Sequence, residues 1–175
     1  MKTSKQWWDE VKNDPARFTA WLLKQYRGEV TAADRIEAIA MQAENPAQVN
    51  ALMKIADQEA QHAKWIFSLL ETRGIKADED RDNAEKRYWA TVKTSITDFN
   101  TAMAVGAHAE AMRLERITAI AFDDEAPADV RDVFKLILAD ELWHERAFRE
   151  MAGDEAMALT KPSAEDGRRV LGLVA

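Results

Sequence analysis

The chain has 175 residues and a net charge of −7, with 47% hydrophobic residues, six Gly, four Pro and no Cys. That length suits one domain with a real core, and scarce Gly and Pro with abundant Ala, Glu and Leu favour helix over an all-β fold. Without cysteine there is no disulfide, zinc finger, thiolate-bound iron–sulfur centre or thiol nucleophile, and the acidic balance argues against nucleic acid and anionic membranes as partners.

The opening residues MKTSKQWWDE lack the apolar stretch of a signal peptide, and no run approaches ~18–20 apolar residues, so the expectation is a cytoplasmic protein. A short helix is predicted near residues 4–12, around Trp7, Trp8 and Val11. Asp14-Pro15 has the form of an N-cap followed by proline at the first helical position. From Ala16 to Glu44, Phe18, Leu22, Tyr26, Ala33, Ile36 and Ala40 recur at helical spacing and predict one long amphipathic helix. Asn45-Pro46 repeats the cap signal and opens a second helix to about Arg73, with Gly74 as its C-cap. Residues 75–83 are charged and read as a loop, and a helical stretch over about 84–95 carries Tyr88 and Trp89. A third long helix is predicted from about Thr97 to Asp123. After the turn DDEAP, Pro127 starts a fourth, ending near Ala152-Gly153. Lys161-Pro162 and Gly167 make the remainder a tail with one short helix at most.

Two tight turns and one crossover of about twenty-five residues join these helices, which is the connectivity of an all-α four-helix bundle with one long crossover. The expected division is a bundle over 1–153, with its short N-terminal helix, and a C-terminal tail over 154–175. The two halves also repeat: residues 28–40, GEVTAADRIEAIA, align without gaps to residues 109–121, AEAMRLERITAIA. ADQEAQH (56–62) likewise resembles ADELWH (139–144) with one residue inserted.

Two of the three histidines sit in one motif, Glu59-x-x-His62 and Glu141-x-x-His144, whose two residues share a helix face. Glu29 lies 30 residues before Glu59 with the Asn45-Pro46 turn midway, so folding back brings both to one height, about 22 Å from the turn at ~1.5 Å per residue. Glu110 lies 31 residues before Glu141 with the turn at 124–127 midway. If both hairpins point these residues inward, four carboxylates and two imidazoles meet in the bundle centre. Buried carboxylates repel one another and are costly to desolvate, and two cations would neutralise them.

In this order and connectivity, Glu29, Glu59-x-x-His62, Glu110 and Glu141-x-x-His144 resemble the ferritin-like di-iron carboxylate superfamily, with rubrerythrin-type proteins the nearest branch. The resemblance covers about residues 16–152. It implies a pair of iron ions, or a manganese or mixed pair, reacting with dioxygen or hydrogen peroxide as a peroxidase, oxidase or ferroxidase. It also implies that Glu59 and Glu141 bridge the metals, that Glu29 and Glu110 are terminal or chelating ligands, and that His62 and His144 hold one ion each. Rubrerythrins carry a further ligand glutamate one turn away on the third helix, where this chain has Ala107 and Arg113. They also usually carry a cysteine-ligated rubredoxin module, so electrons here are expected from an external donor. Some di-iron oxygenases place Thr where this chain has Leu114. Hydroxylation of a small organic substrate, iron oxidation for storage and a metal-free interaction bundle stay as alternatives, and a homodimer is among the allowed assemblies.

Around the six residues, Tyr26 lies one turn before Glu29, as a relay or hydrogen-bond donor to a ligand or as a core tyrosine. Asp140 is placed either to bond a histidine of the facing helix or to form an exposed ion pair, and its counterpart is Gln58. Asp34-Arg35 and Glu115-Arg116 are placed for interhelical salt bridges or for an ion network behind the ligands, Trp65 and Trp143 for core packing beside the motifs or for relay or sacrificial oxidation, and His108 reads as a histidine outside the ligand set.

Overall fold

The computed structural model describes residues 2–77 and 83–173, with the side chains of 83–85 left aside. Helix α1 (Ser4–Lys12) opens with a capping box between Thr3 and Gln6 and buries Trp8 and Val11. Helix α2 (Pro15–Ala40) starts at proline behind the Asp14 cap, whose carboxylate accepts from the N–H groups of Ala16 and Arg17. Helix α3 (Pro46–Glu71) repeats the device with Asn45. At its end Gly74 takes φ +63°, a left-handed conformation that lets the Ile75 N–H donate back to the Leu70 carbonyl over 3.0 Å.

Helix α4 (Asn83–Val92) and a 3₁₀ turn (Lys93–Ser95) occupy the crossover. The loop expected over 75–83 is non-helical at 75–77, while 78–82 lie outside the described residues. Helix α5 (Phe99–Ala121) is capped by Asp98 through a capping box with Thr101. Helix α6 runs from Ala128 to Val170, broken at Gly153 (φ 75°, ψ 163°). Pro127 is its N-cap rather than its first helical residue.

The segment after Gly153 differs from expectation: it is helical to Val170, where a short helix at most was predicted. Gly167 does not break it. An added Cβ there would lie 2.8 Å from a ring carbon of Tyr88, so this glycine lets α4 approach α6 closely. Asn100 donates to the Ala152 carbonyl (3.2 Å) at the break, and His108 Nε2 lies within hydrogen-bond reach of the Met157 carbonyl (3.3 Å) and the Thr160 hydroxyl (3.2 Å).

Helix α2 packs on α3, α5 on α6, and α3 meets α6, which makes the ferritin-like all-α bundle. Each of the four long helices contributes to two apolar layers. One contains Leu22, Ile66, Ile117 and Phe134, and the other contains Ile36, Ile55, Met103 and Phe148. Between these layers, on every one of the four helices, stands a glutamate: Glu29, Glu59, Glu110 and Glu141. Among the described residues no helix is long and apolar enough to cross a membrane.

Candidate metal centre

All four glutamates and both motif histidines are buried, with Glu59, His62, Glu141 and His144 at 0% exposure. The structure brings the six together. Glu59 turns Oε1 toward His144 Nδ1 (3.3 Å) and Oε2 toward His62 Nδ1 (3.8 Å). Glu141 does the same with its two oxygens, each 3.7 Å from one histidine. Glu29 Oε2 is 3.8 Å from His62 Nδ1. Glu29, Glu59, His62 and Glu141 each offer a donor atom within 4.8 Å of the others.

The outer nitrogens of the histidines are held crosswise. His62 Nε2 is 3.1 Å from Asp140 Oδ2, and His144 Nε2 is 3.2 Å from Gln58 Oε1. Gln58 Nε2 donates to Asp140 Oδ1, closing the set. Asp140 and Gln58 each precede a motif glutamate, so the ~100° step per residue turns them to the facing helix. With Nε2–H as the donor on both rings, both Nδ1 atoms point inward, and loss of the Nδ1 proton gives the tautomer a metal ligand needs.

Arg113, one turn after Glu110, completes the cluster. Its Nη2 lies 2.6 Å from Glu29 Oε1 and 2.9 Å from Glu141 Oε1, and its Nη1 lies 3.5 Å from Glu59 Oε2 and 3.6 Å from Glu110 Oε2. Only the Glu29 and Glu59 contacts have hydrogen-bond alignment; the others are close ion pairs. In the sequence Arg113 stands where the resemblance would place a further ligand glutamate. The available signal was a cation opposite Ala32 in a repeat that matches Glu29 with Glu110, Asp34 with Glu115 and Arg35 with Arg116.

Burial pushes Glu29 up to about 6 against the pull of Arg113, and it raises Glu141 well above the usual carboxylate range. Burial also opposes ionisation of Glu59, but the Arg113 guanidinium beside it holds it well below that range. His62 is desolvated, yet Glu29 and Glu59 beside it lift it to about 10. Both observations have one cause: excess negative charge buried with too few cations. Seven buried donor or acceptor atoms of the six residues have no hydrogen-bond partner among the described residues, including both Nδ1 atoms and both oxygens of Glu141. Carboxylate oxygens and imidazole nitrogens aimed at one another across 3.3–3.8 Å suit one or two divalent cations.

The other predicted neighbours separate clearly. Tyr26 is displaced ~60° around α2 from Glu29. Its ring lies 5.7 Å from that of Phe67, and it makes no hydrogen bond to the cluster among the described residues. A hydrogen-bond donor part for Tyr26 therefore has no contact behind it. Trp65 stacks on the His62 ring (5.6 Å), and Trp143 meets His144 edge-on (5.8 Å). Arg35 and Arg116, read as salt-bridging residues, lie over the rings of Trp89 (3.5 Å) and Trp7 (4.5 Å). His108 lies outside the cluster, against the extension of α6.

Helices α2 and α5 stand apart, and a cavity of about 190 Å³ opens between them. Trp21, Ile36, Val105 and Ile117 are among its walls, and it reaches Glu29, Glu110 and Arg113.

The Rubrerythrin family model matches residues 21–152. No curated protein and no solved structure matches the chain.

Proposed function

The chain belongs to the rubrerythrin family, within the ferritin-like di-iron carboxylate superfamily, and on that premise we propose that it is a dinuclear non-haem iron oxidoreductase reacting with dioxygen or hydrogen peroxide. The observation that carries this reading is the double orientation of Glu59 and Glu141, each presenting one oxygen to each histidine. On it, Glu59 and Glu141 would be shared by two ions, with Glu29 and His62 holding one and Glu110 and His144 the other. Iron held there supplies the one-electron steps that reduce the oxidant.

The chain's own residues do the rest. Asp140 and Gln58 fix both imidazoles with Nδ1 inward. The two apolar layers exclude water from above and below. The cavity between α2 and α5 gives a small oxidant a route to Glu29 and Glu110. These 175 residues hold no cysteine for a thiolate-bound electron carrier, and on this reading the electrons come from a donor outside them.

Anaerobic loading with ferrous iron followed by metal analysis is expected to give two irons per chain, and stopped-flow mixing with peroxide or dioxygen then identifies the faster oxidant. Fewer than one iron per chain would sink the reading. One observation favours a second reading, hydroxylation of a small organic substrate: the cavity is largely apolar and borders two of the glutamates. Mass analysis of organic products formed by the reduced, loaded protein separates the two.

A further inference from the structure

Arg113 sets a charge problem inside this cluster. Two divalent ions alone balance four carboxylates, and the guanidinium adds a cation to a full account. Yet Arg113 touches all four glutamates, at 2.6 to 3.6 Å. It is also the one member of the cluster with substantial exposure, 23% of its side chain, and it lines the cavity between α2 and α5. Its side chain is long and flexible, and that cavity gives it somewhere to go. The repeat-related position on α2 is Ala32, so nothing equivalent stands on the other side.

The two halves of the cluster also differ in readiness. Around His62 Nδ1, one donor atom from each of Glu29, Glu59 and Glu141 comes within 4.8 Å of the others. Glu29 Oε2 faces that nitrogen while Oε1 holds Arg113, so this half can take an ion with the guanidinium still bound. The other half shares Glu59 and Glu141 and adds Glu110 and His144, and filling it brings the positive charge above what the four glutamates that touch Arg113 balance.

We propose that Arg113 is the resident cation of this cluster, that a first divalent ion enters beside it at the His62 half, and that the second ion must displace it into the cavity between α2 and α5. This rests on the reading of the cluster as a two-metal centre. It makes Arg113 a positioning residue that sets how the centre loads, and it requires no contact with the oxidant.

The test uses the full chain, with cobalt(II) as probe, titrated without oxygen and followed by calorimetry and visible absorption. The wild type is expected to bind in two steps, the second at least tenfold weaker. In R113Q the second step is expected to tighten at least tenfold, while the melting temperature before cobalt addition falls and that of the loaded protein does not. R113K keeps the charge but loses the planar fork. It is expected to fold without metal and to show an intermediate gap, which keeps the comparison available where R113Q does not fold. Two ions bound by all three proteins with unchanged affinities would overturn the role of Arg113 and leave the two-metal reading standing. A drop in melting temperature equal with and without cobalt marks a merely structural arginine and overturns it too. No cobalt uptake by any of them overturns both readings together.

Discussion

The two hairpins, α2 with α3 and α5 with α6, present the same donors in the same order but surround them differently. Glu29, Glu59 and His62 face Glu110, Glu141 and His144 across the bundle axis, each trio buried between the same two apolar layers. The inequality lies one shell out. Ala32 on the first hairpin is matched by Arg113 on the second, Gln58 by Asp140, and the Gly74 stop of α3 by the continuation of α6 beyond Gly153. A repeat can thus keep its donors fixed while charge, hydrogen bonding and length around them diverge. The equality lives in the donor atoms, and the asymmetry lives in what holds them.

The largest effect is expected where the hairpins are equal. Glu59→Ala and Glu141→Ala are each expected to abolish iron retention, because each removes oxygens facing both histidines. Metal analysis after loading checks it, and full retention by one variant alone would break the equality.

The next prediction probes the extension of α6. Burial pushes the Tyr88 phenol up to about 12. An unfolded phenol ionises near 10, so between those values the unfolded chain has lost a proton that the folded chain keeps. Stability attributable to Tyr88 is therefore intact below pH 10 and lost as pH rises toward 12, by about 2–3 kcal/mol. Denaturant unfolding of Tyr88→Phe against the wild type over pH 9–12 measures it, and parallel curves would refute the burial of Tyr88.

Asp140 and Gln58 sharpen the asymmetry directly. Removing a hydrogen-bond partner behind a ligand histidine costs about 10–100-fold in metal affinity. Asp140→Ala is expected at the upper end, since the bond to His62 is charge-assisted, and Gln58→Ala below it. Competition with a chelator of known affinity ranks them.

Gly167→Ala is expected to have the smallest effect. The new methyl meets the Tyr88 and Val92 side chains at 2.8–2.9 Å, and overpacking of this kind costs ~1–3 kcal/mol. A fall in melting temperature with iron stoichiometry intact would show that the extension braces α4 without shaping the site.

Much of this architecture was legible in the chain. Proline behind Asp14 and Asn45 announced two helix starts, and the spacing of Glu29, Glu59, Glu110 and Glu141 about two turns placed them at one height. Glu59 and Glu141 stood out because each precedes a histidine by three residues. Arg113 was not legible: a cation three residues after Glu110 has the spacing of an ordinary surface ion pair. Only the tertiary approach of α2, α3 and α6 turns it into a contact with four carboxylates. The helix beyond Gly153 was hidden by Pro162 and Gly167, since local signals do not show that the glycine makes room for Tyr88. For Tyr26 the three-residue spacing allowed a shared face with Glu29, and its ring packs against that of Phe67, a tertiary contact that spacing does not encode.

The bond between Gln58 and Asp140 joins His62, Asp140, Gln58 and His144 into one continuous chain across α3 and α6. Such a chain works as a vernier. Sliding one helix along the other by a single residue, ~1.5 Å, would stretch all three links at once. The register of the two central helices is thereby tied to the aim of both imidazoles, so neither ring can be re-aimed alone.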